Sequence, residues 1–271
     1  MQPEQNDQQA PILVLDSGVG GLSVVAEIQR RCPGLPIRYL ADNAALPYGD
    51  KSESWLVERV IRLVTEVCRD QPIRMIVVAC NTASTVVLPA LRDQFDIPVV
   101  GVVPAIKPAA KLSRSKHIGL LATPGTVKRK YTRELIRQFA ADCKINLVGT
   151  TVLVTQAERK LAGLPVQMEA LQTAMQPLFE VNTLDTIVLG CTHFPLLREE
   201  LQQITPRNIE WVDSGNAIAR RVEQLVMHEA FVPVQPKHLS CYNATYTGAH
   251  QPRVERSMAH YGFTTSHHIM L

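Results

Sequence analysis

The feature that most constrains the fold is a buried strand that ends abruptly on a cysteine. Residues 75–79 read Met-Ile-Val-Val-Ala, an apolar and largely β-branched run, and Cys80, Asn81 and Thr82 follow directly. A run that is apolar on both faces is typical of an inner strand of a parallel sheet. In open α/β sheets, ligands bind just beyond the carboxyl ends of the strands. The pattern therefore predicts an α/β fold with the Cys80 thiol at a ligand site.

The same construction occurs a second time. Another apolar run, at residues 186–189, is followed by a glycine and then by Cys191, which lies 111 positions after the first cysteine. The run at 12–15 is likewise echoed at 118–121, with an offset of 106. These spacings are about one domain's length. We therefore predict an α/β protein of two similar lobes, each a mostly parallel sheet flanked by helices. We expect the lobes to be related by a pseudo-two-fold axis, with the active site in the cleft between them.

The succession of strand and helix patterns also divides the chain. A late strand–helix unit, with its strand at 209–212, is expected to return the chain to the first lobe. The predicted division is a disordered lead at 1–11, a first lobe of 12–101 plus 211–231, a second lobe of 102–210, and a C-terminal tail at 232–271 that packs on the first lobe.

Composition excludes several classes of partner. The 271 residues are 46% hydrophobic and carry a net charge of +3, so no nucleic-acid partner is expected. No apolar stretch approaches the roughly 18 residues that cross a bilayer, and the polar first residues do not read as a signal peptide. We therefore expect a cytoplasmic protein with reduced cysteines and no membrane contact.

The cysteine pattern does not indicate a metal site. The six cysteines form no CxxC pair, and the chain has no HExxH motif, so neither zinc nor another metal is predicted. Of the four cysteines outside the strand-end pair, Cys68 is expected to pack on a helix, and no role is assigned to Cys32, Cys143 and Cys241.

Two thiols without a cofactor motif favour one kind of chemistry. The glycines at 18–21 follow the first strand but lack the full GxGxxG dinucleotide pattern, and we predict no cofactor. They fit either a helix start open to an anion or a tight strand–helix turn. A cysteine hydrolase needs one nucleophile and a base, which leaves the second thiol unused. Inversion of a carbon centre uses both, because one thiolate removes a proton and the opposite thiol returns one.

Such a mechanism needs partners for the thiols. A free thiol has a pKa of about 8.5, so little thiolate exists at neutral pH without help. Asp16, at a strand end, and His193, two residues after Cys191, are the candidates to orient or shuttle the protons. For His193 the alternatives are helix capping or a core hydrogen bond. Backbone N–H groups at the two helix starts could stabilise a carbanion, together with the side chains of Asn81, Thr82 and Thr192.

Five segments together resemble the glutamate racemases, which belong to the cofactor-independent aspartate/glutamate racemase superfamily. They are Asp-Ser-Gly-Val-Gly-Gly-Leu-Ser at 16–23, Pro-Tyr-Gly at 47–49, Ala-Cys-Asn-Thr-Ala-Ser at 79–84, Gly-Cys-Thr-His-Phe-Pro-Leu-Leu at 190–197 and Asp-Ser-Gly at 213–215. The resemblance runs in order from about residue 12 to residue 226 and does not extend to the tail.

The resemblance implies that Cys80 and Cys191 are the two acid/base groups, with Cys80 serving D-glutamate and Cys191 serving L-glutamate. It places the substrate at Asp16, Ser17, Tyr48, Gly49, Asn81, Thr82, Thr192 and His193. We add Pro47 from the Pro-Tyr-Gly motif, and Thr123 and Thr126, which follow the strand at 118–121. The implied role is the cytoplasmic supply of D-glutamate for peptidoglycan. A homodimer and a small-molecule activator from the cell-wall pathway are both compatible with the sequence, and both stay open.

Three other functions remain compatible with the residues. Another racemase of the superfamily, or a decarboxylase of the same fold, would keep the two thiols and change the side-chain pocket. A thiol amidohydrolase would release ammonia with one cysteine. A two-lobed binding protein would hold an amino acid without exchanging its α-proton.

Overall fold

The computed structural model describes residues 10–228, 242–248 and 252–269, and the chain divides into two compact units. One unit comprises Met1–Val102 and Gly215–Leu271, and the other comprises Val103–Ser214. Each unit contains one sheet, and every described strand pair in both sheets is parallel. The predicted fold class, α/β with two parallel sheets flanked by helices, is confirmed.

The strands follow the apolar runs of the sequence. In chain order they are β1 Ile12–Asp16, β2 Ile37–Ala41, β3 Met75–Val78, β4 Val99–Gly101, β5 His117–Ala122, β6 Lys144–Gly149, β7 Thr186–Leu189, β8 Glu210–Val212, β9 Tyr242–Thr247 and β10 Thr265–Ile269.

The helices connect and cover these strands. They are α1 Leu22–Arg31, α2 Glu53–Asp70, α3 Asn81–Ser84, α4 Leu88–Gln94, α5 Ile106–Leu112, α6 Pro124–Lys128, α7 Lys130–Phe139, α8 Val152–Leu161, α9 Met168–Phe179, α10 Arg198–Ile204, α11 Gly215–His228 and α12 Pro252–His260. Short 3-10 helices lie at Asn43–Ala45, Tyr48–Asp50 and Phe194–Leu197. None of the described helices is both long and apolar enough to cross a bilayer.

The two sheets repeat one topology. The strand order is β10-β9-β2-β1-β3-β4 in the first sheet and β6-β5-β7-β8 in the second. In each sheet, the first four strands along the chain of that unit lie side by side in the spatial order 2-1-3-4. The repeat extends to single hydrogen bonds, because Ala79 N–H donates to Leu15 C=O at 2.8 Å and Gly190 N–H donates to Leu121 C=O at 2.7 Å. The two echoes in the sequence therefore correspond to β1 with β5 and β3 with β7.

The core of the first unit forms between its sheet and α2. Every residue of β1, β2 and β3 is buried, as the continuous apolar runs predict. The face of α2 that packs against this core recurs at helical spacing and consists of Leu56, Val60, Leu63, Val64 and Val67. Burying each such side chain stabilises the fold by about 1.5–3 kcal/mol. Tyr48 and Cys80 pack into the same apolar cluster, so the strand-end thiol lies against a rigid core.

The strand at 209–212 does not join the first lobe, contrary to our expectation. β8 pairs with β7, with Val188 opposite Val212, and it is therefore the edge strand of the second sheet. The physical reason is that β7, α10 and β8 form a strand–helix–strand crossover, which brings consecutive parallel strands side by side. The chain enters the first unit at Gly215, where α11 begins.

The N-terminal lead differs from the prediction, whereas the described parts of the tail lie in the first unit, where the tail is predicted to pack. Residues 1–9 of the expected disordered lead lie outside the described residues, but Ala10 and Pro11 are buried, and Arg74 N–H donates to Pro11 C=O at 3.1 Å. The described parts of the expected tail extend the first sheet, because β9 pairs with β2 and β10 pairs with β9. Cys241 lies outside the described residues.

Candidate active site

Both candidate sites lie where the strand order reverses. In a sheet of order 2-1-3-4, the first and third strands form a crevice at their carboxyl ends. In the first unit, β1 ends on Asp16 and β3 is followed by Cys80. In the second unit, β5 is followed by Thr123 and β7 by Gly190 and Cys191. The topology therefore gives each unit one thiol beside one polar strand end.

Cys80 is the residue that immediately precedes α3. Its backbone is extended, and its carbonyl accepts a hydrogen bond from Ser84 N–H at 2.9 Å. The Ser84 hydroxyl donates to Val78 C=O and accepts from Val102 N–H, both at 3.0 Å. The Cys80 side chain is only 5% exposed. These contacts fix the backbone of Cys80 at the start of a helical turn.

Asp16 closes the turn between β1 and α1. Its Oδ2 accepts a hydrogen bond from Gly21 N–H at 2.6 Å, and the side chain is fully buried. A Cβ at Gly21 would lie 2.8 Å from both Asp16 Cβ and Tyr39 Oη, so only glycine fits there. The Tyr39 hydroxyl in turn donates to Gly18 C=O at 2.7 Å. These glycines form a tight turn that places an acidic side chain at the helix start.

A second carboxylate, Asp42, lies at the end of β2 and is the centre of a buried network. Its N–H donates to Asp16 C=O at 2.9 Å, which continues the pairing of β1 with β2. Its Oδ2 accepts from the Tyr48 hydroxyl at 2.7 Å and from Arg59 Nε at 3.0 Å, and its Oδ1 accepts from Arg59 Nη2 at 2.8 Å. Oδ1 also accepts from the Thr247 hydroxyl at 2.5 Å.

This network keeps Tyr48 protonated. Burial raises the pKa of Tyr48 well above its ordinary value of 10, and the charge and hydrogen bond of Asp42 raise it further, followed by Cys80 and Asp16. Tyr48 is therefore a neutral hydrogen-bond donor in the same buried cluster as Cys80.

Asn81 supplies an amide next to the same thiol. The residue is 4% exposed, and its Oδ1 atom is buried with no hydrogen-bond partner among the described residues. A buried amide oxygen without a donor costs about 1–3 kcal/mol, so such atoms commonly serve a ligand.

In the second unit, His193 lies between a thiol and a carboxylate. Its Nδ1 is 3.9 Å from Cys191 Sγ, and its Nε2 is 2.7 Å from Glu158 Oε1 on α8. Although burial lowers the pKa of His193, its hydrogen bonds with Cys191 and Glu158 and the Glu158 charge raise that pKa well above the ordinary value of 6.5. The side chain makes no helix-capping hydrogen bond, so the capping alternative for His193 is wrong.

Two further contacts hold this half of the site. Lys160, also on α8, donates to Leu196 C=O at 2.9 Å and forms an ion pair with Glu200 at 2.8 Å. It thereby ties α8, which carries Glu158, to the segment that follows Cys191. Thr123 precedes α6 and its Oγ1 accepts from Thr126 N–H at 3.4 Å, while the two hydroxyl oxygens lie 3.0 Å apart.

The predicted site residues are divided between the two units. Asp16, Ser17, Pro47, Tyr48, Gly49, Cys80, Asn81 and Thr82 belong to the first unit, and Thr123, Thr126, Cys191, Thr192 and His193 belong to the second. Among the described residues, no group of three His, Cys, Asp or Glu side chains could hold a metal ion.

Sequence reasoning missed three charged residues and one hydroxyl. Asp42 could have been found, because it follows the apolar strand 37–41 as Asp16 ends its own strand. Arg59 and Glu158 lie on the polar faces of ordinary amphipathic helices and give no such signal. Thr247 lies in a part of the chain whose periodicity predicts nothing.

Fold and site together define a class: α/β proteins whose thiol-bearing sites lie at the carboxyl ends of duplicated parallel strands. A family model described as Asp/Glu/Hydantoin racemase matches residues 12–222. The chain therefore belongs to this racemase family, and it is an isomerase.

Individual relatives support the assignment. The chain is 55% identical to the glutamate racemase of Klebsiella pneumoniae over 226 residues, which cover 83% of this chain and 80% of the relative. It is 54% identical to the glutamate racemase of Vibrio cholerae over 227 residues, 84% of each chain. The crystal structure of Escherichia coli glutamate racemase with L-glutamate and the activator UDP-MurNAc-Ala has a TM-score of 0.89 at 49% identity, covering 96% of this chain and 98% of that one. The resemblance to glutamate racemases found in the sequence is confirmed.

Proposed function

We propose that this protein interconverts L- and D-glutamate without a cofactor, using Cys80 and Cys191 as a pair of acid/base groups. The observation that carries the proposal is the duplication: each sheet ends its third strand on a buried thiol at the same position of the same topology. Two chemically equal groups suit a reaction whose substrate and product are mirror images.

The reaction consists of two proton transfers. One thiolate takes the α-proton of glutamate and becomes a thiol, and the electron pair of the broken C–H bond moves into the carboxylate as an enediolate. The other thiol then donates its proton to the opposite face of the α-carbon and becomes a thiolate. The two sulfurs end with exchanged protonation states, so the reverse reaction starts from the product state.

The neighbours of each thiol support this cycle. On the Cys191 side, the elevated pKa of His193 makes it an imidazolium that can stabilise the thiolate and exchange protons with it. Glu158 holds the imidazole ring at 2.7 Å and thereby fixes its orientation. On the Cys80 side, we propose that Asp16 has the corresponding role.

Polar groups around the thiols are suited to bind glutamate. The buried Asn81 Oδ1 can accept a hydrogen bond from the α-ammonium group, and N–H groups at the start of α3 can donate to the carboxylate where charge develops. We propose the same substrate-binding role for Ser17, Pro47, Tyr48, Gly49, Thr82, Thr123, Thr126 and Thr192.

One experiment tests the proposal. The protein is dialysed against EDTA, and ¹H NMR in D₂O follows the α-proton of L- and D-glutamate without added pyridoxal phosphate, with L- and D-aspartate as parallel substrates. We expect loss of the α-proton signal from both glutamate enantiomers and formation of the opposite enantiomer. Faster turnover of aspartate, a requirement for metal or pyridoxal phosphate, or retention of the α-proton would contradict it.

The biological setting is a proposal as well. The named relatives lead us to propose that the product serves peptidoglycan synthesis in the cytoplasm, where the thiols stay reduced. The Escherichia coli enzyme was crystallised with the activator UDP-MurNAc-Ala, and we propose the same activator here. Racemisation should rise severalfold on its addition, and an unchanged rate at saturating nucleotide would refute this point.

A further inference from the structure

The part of the chain that resembles no motif of the family contacts the site network directly. Thr247 ends β9, the strand that extends the first sheet beside β2, and its side chain is 1% exposed. Its hydroxyl donates to Asp42 Oδ1 at 2.5 Å and accepts from Ala44 N–H at 3.0 Å. One hydroxyl therefore holds both the carboxylate at the end of β2 and the backbone of the loop that follows.

The fit of this strand end against the loop is close. Gly248, the next residue, has φ +89°, and a Cβ there would lie 3.3 Å from the backbone of Ala44. The β2–β9 register pairs Ala41 with Tyr246, so the following residues, Asp42 and Thr247, emerge side by side. This placement follows from the pairing of β9 with β2.

The contact reaches the site through Asp42. Its two oxygens receive four hydrogen bonds, from the Tyr48 hydroxyl, from two nitrogens of Arg59 and from Thr247. These donors occupy the acceptor positions of the carboxylate and leave it one orientation. The orientation of Asp42 in turn fixes the Tyr48 ring, which packs in the same cluster as Cys80.

We propose that Thr247 is a positioning residue for the reaction, which orients Asp42 and thereby holds Tyr48 and its loop against the Cys80 thiol. This inference rests on the proposed function for its kinetic consequence, but the accessibility of the Cys80 thiol can be measured without any substrate. Thr247 itself touches no reacting group.

The test compares three variants of the full-length protein. Thr247→Val keeps the shape and removes the hydroxyl, whereas Thr247→Ser keeps the hydroxyl. Tyr246→Phe is the matched control, because it removes a hydroxyl from the neighbouring residue of β9, whose partner is Glu255 on α12 at 3.0 Å. Thr247→Ala replaces Thr247→Val if the latter does not fold.

Two readouts follow. For Thr247→Val we expect kcat/KM to fall roughly tenfold, as for loss of one hydrogen bond to a buried charge. The loss should lie mainly in KM, because neither thiol is altered. We also expect iodoacetamide to alkylate Cys80 severalfold faster, measured by mass spectrometry with the half-buried Cys68 as internal reference. Thr247→Ser and Tyr246→Phe should resemble the wild type in kcat/KM and in the alkylation rate of Cys80.

The outcomes separate the two proposals. If the wild type does not racemise glutamate, the proposed function fails, and the alkylation rates alone decide the role of Thr247. Unchanged alkylation of Cys80 in Thr247→Val overturns the positioning role. That role is also overturned if Tyr246→Phe changes kcat/KM or the alkylation rate of Cys80 as much as Thr247→Val does. It is likewise overturned if Thr247→Ser has wild-type values of neither quantity.

Discussion

At the scale of single residues, the charge of His193 is decided by what touches its two nitrogens. Burial alone would keep the imidazole neutral, and the thiol on one side and the carboxylate on the other reverse that preference. A raised pKa means that this pairing stabilises the fold at low pH, below about 6.5, and that the contribution is lost as the pH rises through the folded pKa. In the proposed mechanism, His193 exchanges this same proton with Cys191.

Removing the Glu158 charge should therefore weaken the Cys191 half of the reaction. In Glu158→Gln we expect a lower pKa of His193 and a fall in kcat of about 10- to 100-fold. The fall should be larger from L-glutamate than from D-glutamate, because Cys191 is proposed to deprotonate the L enantiomer. Initial rates in both directions between pH 6 and pH 10 measure this.

Glu134→Gln is the control for that variant, because Glu134 lies in the same unit and its ion pair with Lys130, at 3.6 Å, is exposed. It should leave both directions and their pH profiles close to the wild type. Wild-type rates in a folded Glu158→Gln variant would contradict this prediction and would show that Glu158 has only a structural role.

At the scale of elements, the turn between β1 and α1 combines a carboxylate with a close backbone approach. Gly21 has ordinary negative φ, so glycine is needed there for space and not for its backbone freedom. The missing side chain lets Asp16 Oδ2 reach Gly21 N–H while the Tyr39 hydroxyl holds Gly18 C=O.

Gly21→Ala should displace Asp16, because the new Cβ would lie 2.8 Å from Asp16 Cβ, which cannot rotate away. We expect a loss of about 1–3 kcal/mol in the free energy of unfolding. We also expect a loss of activity of at least about tenfold, if Asp16 contributes general acid–base catalysis. Denaturant unfolding and steady-state kinetics measure the two effects.

Gly163→Ala separates this clash from a purely backbone effect. Gly163 has φ +74°, and a Cβ there would meet nothing within 4 Å, so only the left-handed conformation is penalised, by about 1 kcal/mol. Activity should stay at the wild-type level. Full activity in Gly21→Ala would show that the position of Asp16 does not matter.

A loop at the opposite ends of the strands depends on Asp185. Partial burial raises the pKa of Asp185, but hydrogen bonds from Ser113, Ser115 and Thr186 outweigh burial and lower this pKa to about 2. Since the folded pKa lies below the ordinary 3.8, the stabilisation is complete above pH 3.8 and is lost as the pH falls toward 2.

We therefore expect Asp185→Asn to lower the free energy of unfolding by about 1–2 kcal/mol near pH 7, and thus the thermal midpoint by several degrees. Near pH 2.5 the thermal midpoints of the variant and the wild type should differ less. Asp142→Asn is the control, because the pair of Asp142 with Lys116 is exposed and such pairs contribute little. A pH-independent difference for Asp185→Asn would refute the assignment.

At the scale of the whole molecule, the sequence predicted most of what lies in buried parallel strands. Runs apolar on both faces located β1, β3, β5 and β7, and the strand-end rule then located Cys80 and Cys191. The sequence pattern could not locate β6, because that edge strand is partly exposed and its apolar and polar residues alternate only weakly. The partners of β8 and β9 also escaped prediction, because a strand's own residues do not specify which neighbour it pairs with. Glu158 and Thr247 reach their sites only through that tertiary arrangement.

The proposed two-thiol mechanism depends on the duplication of the sheet. One unit alone supplies one strand-end thiol, and one thiol can remove and return a proton only on one face. If the two thiols divide the work, each single substitution should abolish racemisation while sparing one half-reaction, because a serine hydroxyl is far too weak an acid or base to replace a thiol.

The most direct test uses Cys80→Ser and Cys191→Ser with a glutamate analogue that carries a leaving group at the β-carbon, because elimination requires deprotonation but no reprotonation. We predict that neither variant racemises glutamate. Cys191→Ser should eliminate only from the D analogue, through Cys80, and Cys80→Ser should eliminate only from the L analogue, through Cys191. Racemisation by either variant at near the wild-type rate, or equal elimination from one enantiomer by both, would contradict the two-thiol mechanism.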